Sequence, residues 1–311
     1  FTLLLLAWCC LASAARADAE PTARSKPPEI TAIRVGFDGL YKAGLWTPVE
    51  VTLRGGDREA KGRLSLIVPD GDGVPSRVIT PEDQPCRVAP GGETSITLFV
   101  RFGRVHNSTQ VQFETDDGRL IERTFRSGSR EGVGDYPAAL SNHRRLVVCL
   151  AGAEFGATEA ARLFDSESTR QPAVARLDDP TRLPERWYGY EGVDALIIAT
   201  SDPKVSEGSL AADDARAALD HWVRLGGRLV LMAGERGREV ADPAGPWATF
   251  VPGEWKSTVP LTRFGGLEDY AGGARPVPLS ETAQRRGAPA ARLDRIEGRV
   301  EAREADLPLV V

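Results

Sequence analysis

Histidine, cysteine and any excess of basic charge are what this chain lacks. Three histidines occur among 311 residues, at His106, His143 and His221. Their contexts are separate, so they do not read as a metal cluster. There are four cysteines, and two of them, Cys9 and Cys10, fall in the apolar N-terminal run. Cys86 and Cys149 remain, with no C-x-x-C pair and no Cys/His ligand spacing. A structural zinc site is therefore not supported, and neither a metal nor a cofactor is expected. A disulfide between Cys86 and Cys149 stays open if the compartment is oxidising; two buried thiols are the simpler reading. The net charge is −5, from 39 basic and 44 acidic residues that are interspersed. With no basic stripe, nucleic acid is excluded as the expected partner.

Long apolar runs are equally scarce. FTLLLLAWCCLASA, at the start, is short for a bilayer span. With Ala15-Arg16-Ala17 behind it, residues 1–17 read as a secretory signal peptide. Ala12-Ser13-Ala14 is an alternative cleavage site, and a retained N-terminal anchor is another reading of the same run. Trp8 speaks against lipidation at Cys9 or Cys10. The protein is expected to be exported across the cytoplasmic membrane, to the periplasm or the outer face of the membrane. Residues 18–28 form a polar, proline-bearing linker. The last run, ADLPLVV, is strand-like, and the final domain is expected to continue past Val311, with membrane association through a segment outside this chain.

Residues 29–126 alternate apolar and polar positions in short runs split by turn residues. ITAIRVGF, TPVEVTLRG, GRLSLIVPD, SRVIT, TSITLFVRF, STQVQFET and RLIERTF each predict a strand. Asp116-Asp117-Gly118 and Pro90-Gly91-Gly92 mark turns. Seven strands in about a hundred residues without helical periodicity predict an immunoglobulin-like β-sandwich. Trp46, ahead of a proline and an alternating strand, is expected to pack across it. Residues 127–142 read as an inter-domain linker.

From residue 143 to 311 the pattern becomes that of an α/β open sheet, flavodoxin-like in class. RRLVVCLAG and GVDALIIAT are apolar throughout, as strands buried on both faces must be. A helix at ATEAARLFDS, a strand at PAVARL and a strand at RLVLMAG complete the alternation. Ala215, Ala218, Leu219, Trp222 and Val223 share a helical face. Ser209 is the candidate N-cap, Asp213 and Asp214 suit the first turn, and Gly226-Gly227 stops the helix. Residues beyond Arg238 read as an irregular excursion over the sheet. RVEAR and LPLVV are expected to add antiparallel strands to its edge.

Trp187, Gly189, Tyr190, Gly192, Asp194–Ile198, Trp222, Val223 and Gly226–Val230 form the pattern W-x-GY-x-G-x-DALII followed by WV-x-x-GGRLV. In this the second half resembles the class I glutamine amidotransferase-like superfamily, in a divergent envelope-protein branch. Active members of that family keep a nucleophilic cysteine in G-x-C-x-G after the strand, where a sharp turn lowers its pKa. Here that position is Met232, within Val230-Leu231-Met232-Ala233-Gly234, and no histidine follows His221. The resemblance thus implies a non-catalytic domain.

The ligand-binding candidates are Ser201 and Asp202 after one strand, Gly234 and Glu235 after another, and the aromatics Trp187 and Tyr190, with Tyr188 between them. Strand ends are where open sheets bind ligands. The glycine-flanked loops 152–156 and 234–237 can offer N–H groups to an anion. Asp70-Gly71-Asp72-Gly73 has part of a calcium-loop pattern without the later glutamate, and so reads as a hairpin turn. Asn107-Ser108-Thr109 is a glycosylation sequon. The expected function is a non-enzymatic binding or assembly protein, for a protein partner or a small ligand. The alternatives are a hydrolase or carbohydrate-acting enzyme of the same fold, or a solute-binding sensor.

Overall fold

The computed structural model describes residues 25–128, 133–151, 158, 171–206, 213–272, 276 and 279–311. The chain is β-rich, with several sheets and a few short helices.

Two antiparallel sheets enclose the first core. One has the order β1–β2–β6, from Glu29–Val35, Trp46–Arg54 and Glu93–Arg101. The other has the order β4–β3–β7–β8, from Pro75–Ile79, Ala60–Pro69, Ser108–Thr115 and Leu120–Arg126, with β5 (Cys86–Val88) also on β3. Alternation drives this. In β2 every second residue is buried, so Val49, Val51 and Leu53 face Leu64, Leu66, Val68, Val111 and Phe113 across one core. Asp70 turns the chain between β3 and β4 by accepting the N–H groups of Asp72 and Val74 on Oδ1, at 3.0 and 2.8 Å. Gly118, at φ 81°, turns β7 into β8.

Residues 133–142 are not a free linker. Tyr136, Ala139 and Leu140 are buried, and the Tyr136 hydroxyl lies 2.9 Å from that of Thr109. A run of small and polar residues conceals an aromatic anchor here. The sequon is also buried: Asn107 is 7% exposed and donates to the Arg104 carbonyl.

The second core is built on a four-stranded parallel sheet of order β10–β9–β11–β12, from Ala173–Leu177, Leu146–Leu150, Ala195–Ala199 and Leu229–Met232. Helix α1 (Asp213–Arg224) places Ala215, Ala218, Leu219 and Trp222 on the core. Gly227 donates to the Trp222 carbonyl and Gly226 to that of Val223, with Gly226 at φ 99°, a paired C-terminal stop that requires glycine. The expected helix at ATEAARLFDS and the Ser209 cap lie outside the described residues, as does the 152–156 loop. Burial on both faces holds for β9 but not for the edge strand β12, where Val230 and Met232 are exposed.

The C-terminal region departs from expectation. Strand β13 (Glu254–Leu261) pairs with β14 (Ala288–Asp294) in a two-stranded sheet of its own, where the sequence reads as irregular. Strands β15 (Ala302–Glu304) and β16 (Leu307–Val310) pair only with each other, so they do not extend the parallel sheet. Pro260 and the prolines and glycines that flank the strand hide the alternation in β13. Within the excursion, Trp247 is fully buried and its Nε1 donates to the Val205 carbonyl at 2.7 Å. Among the described residues no helix is long and apolar enough to cross a membrane.

Candidate functional site

The two cores meet through a short segment, Trp187–Tyr190 and the four residues after it. Gly189 is needed there: a Cβ would lie 2.6 Å from the Phe99 ring and 2.7 Å from Pro184. Tyr188 packs on Phe99 edge-on at 5.1 Å and on Trp46 at 5.4 Å. Glu191 accepts the Trp46 N–H at 2.7 Å and the Arg101 guanidinium at 3.0 Å. Trp46 thus faces this junction, not the sandwich core as its alternating strand implied. Asp194 accepts Lys42 Nζ at 2.5 Å and the Leu146 N–H at 2.6 Å on one oxygen. The Lys42 side chain is almost wholly buried, while the Asp194 carboxylate keeps 37% of its side-chain surface in contact with water.

The other half of the junction is a hairpin tip. Phe37 and Leu40 exchange two backbone hydrogen bonds around Asp38 and Gly39, which stand at φ 49° and 79°. That is the mirror-image two-residue turn that Asp-Gly favours. It carries Phe37 out of the first core and into the second, 6.2 Å from the ring of Tyr190.

These contacts leave an open cleft of about 1450 Å³ beside the junction. Its floor is the outward pleat of the β1–β2–β6 sheet, continued past β6 by Val78 and Ile79 of β4 and by Pro81 and Gln84. Its opposite wall is the loop that follows β10, residues 177–186. Asp179 starts that loop's first turn by accepting the Thr181 N–H at 2.8 Å, and its hydrogen bonding with Thr181 holds the carboxyl below the ordinary range. A smaller cavity of about 480 Å³ lies at the amino ends of the parallel strands, between Arg145, Trp187, Asp194, Trp222 and Arg228.

The six sequence candidates do not form one site. Ser201, Asp202, Gly234 and Glu235 follow β11 and β12, at the carboxyl end of the sheet. Ser201 is exposed, and Asp202 accepts the Lys204 N–H at 2.8 Å on Oδ1 as a turn residue. Gly234 stands at φ 49° in open space, and Glu235 is exposed. Trp187 and Tyr190 precede β11 and lie at the amino end. Tyr190 is wholly buried against Phe37 and Trp222 and donates its hydroxyl to the Pro184 carbonyl at 3.2 Å, which removes it as a ligand contact. Trp187 is 40% exposed and packs on His221 at 5.4 Å, so His221 is also remote from Ser201. Met232 ends β12, partly exposed. The cleft walls were missed because their residues, on β2, β6 and the 177–186 loop, are distant in sequence. The aromatics Trp46 and Phe99 at outward positions of alternating strands were the only signal.

Both thiols are buried and free. Cys86 belongs to the first core and Cys149 to β9 of the second. Desolvation raises both pKa values, that of Cys149 to about 11. No group of three or more metal-ligating side chains occurs among the described residues.

Among solved structures, similar ones include the structural-genomics target SoR45, at 12% identity and TM-score 0.26 over 33% of this chain and 88% of that one. The sporulation control protein Spo0M from Bacillus subtilis gives 15% and 0.22, over 32% and 48%. The superoxide reductase neelaredoxin from Ignicoccus hospitalis gives 16% and 0.22, over 32% and 79%. The chain thus spans about half the length of Spo0M. No curated protein matches the chain. Residues 28–127, the first unit alone, match the family DUF8726, a domain of unknown function.

Proposed function

We propose that this is an exported, non-enzymatic binding or assembly protein that works at the outer face of a membrane. In this reading an immunoglobulin-like sandwich is joined to a degenerate amidotransferase-like domain. The strand order β10–β9–β11–β12 supports the second assignment, because doubly wound flavodoxin-like sheets begin with the order 2-1-3-4.

The end of β12 carries the reading. Where active relatives of the superfamily hold a cysteine, this chain holds Met232, whose thioether has no proton to lose and cannot add to a carbonyl. Cys149 does not replace it. Its thiol is 2% exposed inside β9 and stays protonated until about pH 11, and the thiolate is the nucleophile. Ser201 has no histidine beside it to act as base, since His221 sits at the other end of the sheet. What the two units build together is a docked pair with a cleft between them, which is a binding architecture.

The test is glutamine hydrolysis by the purified full chain, followed as ammonia and glutamate release. No release above the buffer control is expected. Turnover that disappears in Cys149→Ala would overturn the reading.

A further inference from the structure

We propose that the cleft between the β1–β2–β6 face and the 177–186 loop is a binding site for a neutral oligosaccharide of several sugar units. The inference rests on the binding reading above and names the ligand class for it.

Size is the first argument. At about 1450 Å³ the cleft exceeds the ~300–1,000 Å³ typical of sites for single small molecules, so it suits an extended oligomer.

Charge is the second. Arg34 and Glu50 form an ion pair at 2.6 Å across the floor, and Arg182 lies 4.0 Å from Asp178 in the wall. The other charged groups are Asp179, Glu185, Arg186 and Lys204, two of each sign. The cleft carries no net charge, so it does not steer an anion or a cation. The side chains of Glu185 and Arg186 are exposed and carry no hydrogen bond or ion pair among the described residues. A carboxylate and a guanidinium side by side accept from and donate to hydroxyl groups, the donors and acceptors that a sugar presents.

The apolar surface is the third. Trp46, Phe99 and Tyr188 are half-buried and gather at one side of the cleft. Aromatic rings suit the C–H faces of pyranose sugars. Pro48 lies beside them on β2.

The central strand of the floor does not suit an extended peptide. Peptides that add to sheets use unpaired backbone groups at an edge. Here β2 lies between β1 and β6 and its ladder groups are used on both sides. The β2 part of the floor therefore recognises its ligand through side chains, and β6, an edge strand of the same sheet, is the part that a peptide would have to use.

The test is calorimetric titration of the full chain with a panel of neutral hexasaccharides: cello-, malto-, xylo-, manno- and chitohexaose. At least one is expected to give saturable binding. Thr97 is exposed on β6 in the floor, and tryptophan suits a strand, so Thr97→Trp intrudes into the cleft without disturbing the fold. It should keep the wild-type melting temperature and weaken binding about tenfold or more. Glu185→Ala should weaken it several-fold. No binding by any hexasaccharide at millimolar concentration overturns the inference, as does binding indifferent to Thr97→Trp. An extended neutral peptide of alanine, serine and threonine whose binding is weakened by Thr97→Trp, where no sugar binds, also overturns it. Chromatography of the sugars after incubation separates the two readings. Intact sugars keep both. Cleaved sugars would leave the site standing and overturn the non-enzymatic reading. Absent binding would leave the non-enzymatic reading untouched.

Discussion

The two cores solve the problem of burial in opposite ways. In the antiparallel unit one face of each strand is inside and the other is outside, so β2 reads alternately buried and half-exposed. In the parallel unit β9 is buried along almost its whole length and no residue of β11 is exposed. The difference fixes where each unit can interact. The antiparallel sheet has a spare pleated face, which becomes the floor of the cleft. The parallel sheet has none to spare in its centre and must use the loops at its strand ends. The loop after β10 supplies the cleft wall, and the segment before β11 supplies the docking contacts.

That comparison can be broken at the junction, where each unit lends a group to the other. The largest effect is expected from Phe37→Ala. Phe37 belongs to the first unit's hairpin but fills the second core, and its truncation should cost about 3–5 kcal/mol. Urea unfolding would show it as two separated transitions in place of one. Asp194→Ala comes next, at about 3 kcal/mol, because it strands the buried Lys42 ammonium and the Leu146 N–H together. Adding Lys42→Met to it should recover part of the loss, which a double-mutant cycle would measure. Gly189→Ala forces a methyl group against Phe99 and Pro184 and should cost about 1–3 kcal/mol, read as a lower melting temperature.

Two smaller effects sharpen the contrast by pH. The Asp179 carboxyl is held below its ordinary range by Thr181, so its cap is complete above about pH 4 and is lost as pH falls through its folded value. Sugar binding at the cleft should weaken in that acid window, and Asp179→Ala should show the weaker binding at every pH. Cys149 has the opposite sign. Its pKa is raised to about 11, so its contribution is complete below about pH 9 and is lost as pH rises through 11. Iodoacetamide at pH 8 should leave Cys149 unmodified in the folded chain and label it in urea, as followed by mass spectrometry.

The legible parts of the sequence were those governed by local chemistry. Seven strands of the first unit, the β9–β12 strands and helix α1 stood out because alternation, continuous apolar runs and a helical stripe are properties of neighbours in the chain. The Gly226-Gly227 stop was legible for the same reason. Strand β5 was missed because three residues between prolines and a turn show no period. Strand β13 was missed because Pro260 and a mixed face obscure one. The candidate site was read poorly. Ser201 and Gly234 were placed correctly at strand ends, but Tyr190 was taken for a ligand contact when it is a buried brace. Aromaticity does not reveal which way a ring points.

By itself the sequence determined the strands, the turns and the helix, since each depends on residues a few positions apart. Only the tertiary structure decided that Asp194 serves Lys42, 152 positions away, that Gly189 is a seat for Phe99, and that the face of β2 and β6 closes on the loop after β10. The physical reason is that these contacts arise from two cores being pressed together, and no period in the chain encodes which surface of one meets which loop of the other.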